Sequence, residues 1–277
     1  MNTSDPTSHP QGRRRPLKSW PRSILPVMAT AVAGACAACG TAHGQIVEET
    51  YHFTASPLPL AVPDASGVGI VDSHLIDSFI RLLTDVNVTL TLSNPDVAGA
   101  YNGDLYVSLT HDSGFAVLMN RVGRREGSSP AEQLGYGDNG VHITLDDQAA
   151  TGDVHTYRLQ LGLTPSGPPA NSHTTPVDPA FVQPLTGTWA PDGRNTSPLT
   201  VTTTDTRSAL LSSFNTLPGS GRWTLFVADL NTGGTVKLES WSLQLSGAVP
   251  EPETVGVVAA MVLLGYGILR KRHLLNP

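Results

Sequence analysis

The sequence predicts an all-β chain whose middle folds as an antiparallel β-sandwich. Three observations carry that reading. Apolar residues recur at every second position in several short runs, the period that sends alternate side chains to opposite faces of a strand. Gly and Pro are plentiful, 27 and 22 of 277 residues, as many short strands joined by turns require. The stretch from Gly221 to Ser246 reads as two such strands around a Gly-rich reversal, a closing hairpin.

Before the strands comes an address. Residues Met1 to Trp20 are polar, with Arg13-Arg14-Arg15 and Lys18, and the run from Ile24 to Ala38 is apolar. Small residues then lead to Ala42-His43-Gly44, with cleavage expected before Gln45. A positive start, a short apolar core and a small-residue exit make residues 1–44 a signal peptide. Arg13 to Lys18 resembles a twin-arginine box, with Pro16 where Phe is usual. Cys36 and Cys39 are the only cysteines, so the exported part carries no disulfide. Neither has Leu three residues before it, as lipoprotein attachment would ask.

The body runs from Gln45 to Ala248 as one domain. There, nine Lys and Arg face twenty Asp and Glu, leaving eleven negative charges in excess. That balance argues against binding nucleic acid or anionic lipid by charge. Tyr51 and Phe53 belong to an edge strand entering the Pro57-Leu58-Pro59-Leu60 loop, and Pro63 to Gly67 is a turn. Ser78 to Leu83 reads as an irregular strand. Asp85 to Leu92 is the cleanest one, with Val86, Val88, Leu90 and Leu92 inward. Gly103 to Leu109 is another strand, and His111-Asp112-Ser113-Gly114 turns it into Phe115 to Met119. Arg121 to Asn139 reads as a surface loop, Val141 to Leu145 as a strand, and Tyr157, Leu159 and Leu161 as one more.

Thr164 to Asn195 is a long Pro-rich stretch, periodic only around Gly187-Thr188-Trp189, and reads as an insertion or a cover for a sheet edge. Thr200 to Thr204 is β-branched, and Ala209 to Phe214 suits a short helix or 3₁₀ turn. In the last pair, Trp223, Leu225 and Val227 share one parity, as do Trp241, Leu243 and Leu245. Val236 and Leu238 have the opposite parity, so a bulge is expected near Glu239-Ser240.

Residues 249–277 form a second address: Val249-Pro250-Glu251-Pro252, an apolar run from Thr254 to Leu269, then Arg270-Lys271-Arg272. The run is somewhat short for a hydrocarbon layer of about 30 Å. With its flanks it is predicted as a single transmembrane helix, leaving the basic tail in the cytoplasm. The three parts together resemble the PEP-CTERM sorting signal of Gram-negative bacteria. The resemblance implies that an exosortase-type enzyme of the inner membrane recognises Pro250, Glu251 and Pro252 and frees the domain from its anchor. This protein would be the substrate.

The body itself resembles the P domain (P/Homo B) that follows the catalytic domain of subtilisin-like proprotein convertases. The residues that carry this are Val62-Pro63-Asp64, the strand Thr84 to Leu90, Gly103-Asp104-Leu105 and Leu145 to Ala149. Gly221-Arg222-Trp223-Thr224-Leu225, Val227, Asp229 and Ser240 to Leu243 complete the set. The stretch around His155 to Thr206 is much longer than the family pattern. The resemblance implies a jelly-roll β-sandwich that supports a neighbouring protease, although no protease precedes it in this sequence.

Chemistry of its own is not expected. Gly127-Ser128-Ser129-Pro130-Ala131 has the look of a subtilase serine box, but no Asp and His boxes precede it. No G-x-S-x-G or H-E-x-x-H occurs, and His52, His74, His111, His142, His155 and His173 show no paired ligand spacing. Calcium is the candidate cofactor, through Asp104, Asp147 and Asp229 at strand ends; the alternative role for these is to bond turn amides. Trp189, Trp223 and Trp241 either stack on sugars or pack in the core. The expectation is an exported, non-catalytic sandwich with a structural or adhesive role at the cell surface or extracellular matrix. The alternatives are a carbohydrate-binding module for matrix polysaccharide, or an accessory domain of a serine-type endopeptidase.

Overall fold

The computed structural model describes residues 45–54, 57–93, 100–127, 133–161, 184–249, 260–266, 268, 270 and 271. The expected signal peptide, the Ser128-Ser129 pair and the Pro250-Glu251-Pro252 motif lie outside them.

Among the described residues, ten strands form two sheets. The first runs β1 (Gln45–Phe53), β10 (Val236–Val249), β4 (Leu82–Ser93), β7 (Val141–Leu145), β8 (Leu185–Trp189), with β2 (Leu60–Val62) also on β10. The second runs β3 (Ser66–Ile76), β9 (Gly221–Asp229), β5 (Leu105–His111), β6 (Gly114–Asn120). The chain is thus mostly β, as its alternation predicts, and Val86, Leu105, Val141 and Trp223 share one core. That core fixes register. Sliding β4 by one residue would bury Asn87, Thr89 and Thr91 and expose Val86, Val88, Leu90 and Leu92, all now buried. Four lost burials at about 1.5–3 kcal/mol each rival a domain's whole stability of about 5–15 kcal/mol.

The expected bulge is present. Pairing of β10 with β4 jumps from Leu238 opposite Leu92 to Ser240 opposite Thr91, leaving Glu239 extra. Ser93 Oγ donates to Glu239 Oε1 at 2.6 Å, which holds the bulged residue outward. β1 is an edge strand, as expected, but the closing pair is not a hairpin.

β9 and β10 belong to different sheets, so the segment from Leu230 to Thr235 arches across the sandwich. Trp223, Leu225 and Val227 line one inner face and Trp241, Leu243 and Leu245 the other. Two strands with apolar parity toward each other pack face to face as readily as they pair side by side, and alternation alone does not separate the cases.

Other segments depart from the sequence reading for identifiable reasons. β3 is a strand where only a turn was expected. Tyr157 to Leu161 is no strand: Tyr157–Gln160 forms one helical turn, α1, after the 3₁₀ turn Val154–Thr156. Tyr157 and Arg158 are both buried, and adjacent buried side chains contradict a period of two. Ser78 to Arg81 connects strands rather than forming one, and 200–204 has no strand. Leu211–Phe214 is a 3₁₀ turn, as expected. β8 pairs with β7 in parallel, the exception to an otherwise antiparallel arrangement. Arg121, Val122, Tyr136 and Asp138 are buried, so the described part of that loop packs inside rather than draping the surface.

Residues 260–266, 268, 270 and 271 are helical, and Val262, Leu263, Leu264 and Tyr266 are exposed. Among the described residues no helix is long and apolar enough to cross a membrane.

Candidate functional site

The residues with chemical potential gather where β5 begins, β6 ends and the loops after them fold back. The 3₁₀ turn Asn102–Asp104 feeds β5, so Asp104 lies beside the end of β9, where Leu105 pairs with Asp229. Arg121 follows β6 with a φ of 49°, a left-handed conformation that a long side chain adopts only under compulsion. Its partners supply the compulsion. Its Nε donates to Gly103 O at 2.6 Å, and its Nη2 lies 3.4 Å from Asp104 Oδ1. Its backbone N–H donates to Leu105 O at 2.8 Å.

Burial pushes the Asp104 carboxyl up to about 7; the Arg121 charge pulls the other way and Asp229 adds to the rise. Asp229 is pushed up to about 6, again by burial first, with the Asn231 amide opposing and Asp64 reinforcing. Both folded values exceed the ordinary carboxylate value of 3.8. Between those values the folded chain holds protons that the unfolded chain has released, so stability falls as pH rises. The contribution is complete below about pH 4 and lost through pH 6 to 7. We expect chemical denaturation at pH 5 and pH 8 to differ by roughly 1–3 kcal/mol from this pair. Asp104→Asn should remove most of the difference relative to wild type; an unchanged pH slope in that variant would refute the assignment.

A second cluster centres on Asp138. Its Oδ2 accepts from Tyr157 Oη at 2.5 Å and Arg158 Nε at 2.6 Å, and its Oδ1 accepts from Arg158 Nη2 at 2.5 Å. Asn102 Nδ2 donates to the same Tyr157 oxygen at 3.3 Å, and the Arg158 guanidinium sits 4.8 Å over the Tyr136 ring. All of these side chains are buried. A third cluster centres on Asp192. Its carboxylate accepts from the Asn120 backbone N–H at 3.0 Å and faces His155 Nδ1 at 2.7 Å. Arg194 Nη1 bridges Asp192 at 3.2 Å and Asp153 at 2.8 Å.

These groups are structural in geometry. His155 is fully buried, and its second nitrogen lies 2.8 Å from Arg124 O, so it presents no free lone pair to solvent. His111 is held alike, by Arg222 O at 3.1 Å and Pro218 O at 2.8 Å. Gly221 is required beside it: its φ is 133°, and a Cβ there would sit 2.9 Å from His111 Cε1.

Of the three aspartates expected at a calcium site, Asp104 and Asp229 come together and Asp147 does not. Asp147 instead accepts from the Leu211 and Ser212 backbone N–H groups at 3.1 and 2.7 Å, starting the 3₁₀ turn there. That is the turn-amide role. The Arg121 guanidinium supplies the countercharge that Asp104 needs, and among the described residues no group of three or more His, Cys, Asp or Glu is arranged for a metal ion. Asp104 and Asp229 by themselves supply fewer oxygens than the six to eight a calcium ion takes. Exchanging calcium for a chelator should therefore leave the melting temperature within about 1 °C, whereas bound calcium in excess of its Kd would raise it by several degrees.

Trp189, Trp223 and Trp241 are 2 %, 0 % and 2 % exposed, so none offers a sugar a face. Their indole nitrogens donate inward, to Thr186 O, Gly219 O and Asp72 Oδ2 at 2.9, 3.0 and 2.7 Å. Reading the sequence by its strands passed over Arg121, Asp138, Arg158, His155, Asp192 and Arg194. One signal was available: five of the body's nine cations, Arg121, Arg124, Arg125, Arg194 and Arg207, fall in the segments between the recognised strands.

No protein-family model and no curated protein matches the chain. Among solved structures, it is similar to the crystal structure of the Aeromonas sobria serine protease (ASP) and the chaperone (ORF2) complex. The identity is 16 %, the TM-score 0.38, and the match covers 78 % of this chain and 29 % of that one. The chain thus spans under a third of the length of that solved chain.

Proposed function

We propose that the chain is an exported, non-catalytic module of jelly-roll type with a structural or adhesive role at the cell surface or in the extracellular matrix. In this reading residues 1–44 direct export. Residues 249–277 hold the chain in the inner membrane until an exosortase-type enzyme acts at Pro250-Glu251-Pro252. One observation supports the non-catalytic part above others. The charged and aromatic groups able to do chemistry are spent on each other inside the fold, as His155 with Asp192 and Asp138 with Arg158 and Tyr157. A nucleophile, base and oxyanion donor need a shared opening to a substrate, and these clusters offer none.

Cells making the full chain and a Pro250→Ala, Glu251→Ala, Pro252→Ala variant should differ on fractionation. The variant should stay in the inner membrane with its tail attached, while the wild type moves to the surface or medium. The same distribution for both would sink the sorting reading.

A second reading, an accessory domain of a serine-type endopeptidase acting from another chain, draws on one placement. The Gly103-Asp104-Leu105 and Asp229 motifs of the P-domain resemblance adjoin each other at the β5–β9 junction. Co-purification of such a protease with the exported domain would favour it. The polysaccharide reading loses its aromatic platform, since all three body tryptophans are buried.

A further inference from the structure

The two edges of the second sheet are treated differently. β6 is covered: Val117 N–H donates to Ala209 O at 2.9 Å, while Leu118 O and Val117 O accept from Asp192 and Gly193 N–H at 3.0 and 2.9 Å. β3 is open. Among the described residues, residues 67–76 make backbone–backbone hydrogen bonds only to β9. Its alternate N–H and C=O groups therefore face outward, the template that a further strand can use. Apolar side chains stand beside that edge, with Val71 58 % and Leu75 77 % exposed.

We infer that this edge takes a second copy of the same chain, β3 against β3, antiparallel about a two-fold axis at Ser73. The register argues for it. The pairing of β3 with β9 is irregular between Ser66 and Ile70 and continuous from Ile70 to Ile76. The bulge limits the usable edge to that run, whose midpoint is Ser73. A two-fold there sets Val71 opposite Leu75 of the second copy, twice, on the outer face. It also sets Asp72 opposite His74 of the second copy on the inner face, an acid against a base. A closed two-fold contact must be self-complementary in this way, and a run reading Val-Asp-Ser-His-Leu about its centre is so in both hydropathy and charge.

The neighbouring strand extends the match. Phe226 pairs with Val71, Thr224 with Ser73, and Arg222 with Leu75. The outer rows of the joined sheet then read Phe226, Val71, Leu75, Arg222 and Thr224, Ser73, Ser73, Thr224, the second half of each from the second copy. Cross-strand apolar and hydroxyl pairs of this type stabilise sheets. Seven residues per strand bury less than the roughly 1,200–2,000 Å² of a stable interface, so the association is weak and covalent trapping reports it best. This inference stands on strand register alone, independent of the sorting and non-catalytic readings.

The test uses the full chain with Cys36→Ser and Cys39→Ser, adding Ser73→Cys and supplying oxidised glutathione as the oxidant. Opposed residues of an antiparallel pair have Cα atoms about 4.5–5.5 Å apart, inside the span a disulfide bridges. Ser73→Cys should give at least ten-fold more disulfide dimer than Thr110→Cys, an exposed β5 position two strands in from that edge. Adding Val71→Lys to Ser73→Cys should return the dimer to the Thr110→Cys level. Val71 is exposed, so that lysine is accommodated without unfolding the sheet. Equal dimer from Ser73→Cys and Thr110→Cys overturns the inference, as does a Ser73→Cys dimer that Val71→Lys leaves undiminished.

Discussion

Asp138→Ala is expected to lower stability by about 3–5 kcal/mol, the cost of stranding a buried charge. The carboxylate satisfies both Nε and Nη2 of Arg158 and the Tyr157 hydroxyl, at 2.5–2.6 Å. Without it, among the described residues the buried guanidinium keeps its contact with the Tyr136 ring, 4.8 Å away. Such a cation–π contact contributes about 2 kcal/mol at best when desolvated, too little to replace a bidentate pair. The expected fall in melting temperature is about 10 °C for a domain of this size. Asp138→Ala with Arg158→Leu should recover part of the loss, because removing both partners leaves no buried charge. If the double variant is as unstable as the sum of the singles, the pair is not coupled and this account of the loop fails.

The consequence is local as well as global. Asp138 and Arg158 tie the segment after β6 to α1, so breaking the pair should expose residues 133–139 and 153–161 to proteolysis before the sheets open. Those segments belong to no strand; the charge pair holds them together with backbone bonds such as Val154 N–H to Ala190 O at 2.9 Å and Tyr136 N–H to Val122 O at 2.9 Å.

How much of this was legible in the sequence depends on what each residue answers to. β4, β5, β6 and β7 could be read because one face of each is packed and the alternation of Val86, Val88, Leu90 and Leu92 is enforced by that packing. β3 was hidden because its pattern serves other ends. Gly67 and Gly69 flank an irregularity, and the inward Asp72 is polar because it accepts from Trp241 Nε1 at 2.7 Å and faces His74 Nε2 at 2.9 Å. The arch between β9 and β10 was misread as a hairpin because both choices require the same two parities. The clusters around Asp138 and Asp192 were illegible for another reason. His155 and Asp192 are 37 residues apart and Asn120 and Asp192 are 72 apart; such pairings obey no local period. Asp147 parts from Asp104 and Asp229 on the same account, since a strand-end aspartate serves a turn or a metal equally well until its partners are seen.

Trp223→Ala tests the centre of the sandwich, with an expected loss of about 3–5 kcal/mol. The indole is fully buried, stacked on His111 at 4.0 Å and 3°, with the Phe214 ring 5.1 Å away. Its removal leaves a cavity between β9, β5 and the Leu211–Phe214 turn, and it orphans Gly219 O, which now accepts from Trp223 Nε1 at 3.0 Å. Trp223→Phe separates the two effects. It keeps most of the ring volume and the stacking but lacks the N–H, so its cost should be about 1–3 kcal/mol, that of an unsatisfied buried carbonyl with a small void. Urea denaturation of the three proteins reads these values directly. A Phe variant as damaging as Ala would place the energy in the hydrogen bond rather than the packing, and an Ala variant costing under about 1 kcal/mol would mean the strand pair does not pack on this side chain. His111 gives an independent readout of the same site. Its ring is held at both nitrogens by Arg222 O and Pro218 O, so losing the Trp223 face should leave its hydrogen bonds in place. The Trp223→Ala protein should then unfold as one cooperative unit at lower denaturant, rather than through local loosening of β9.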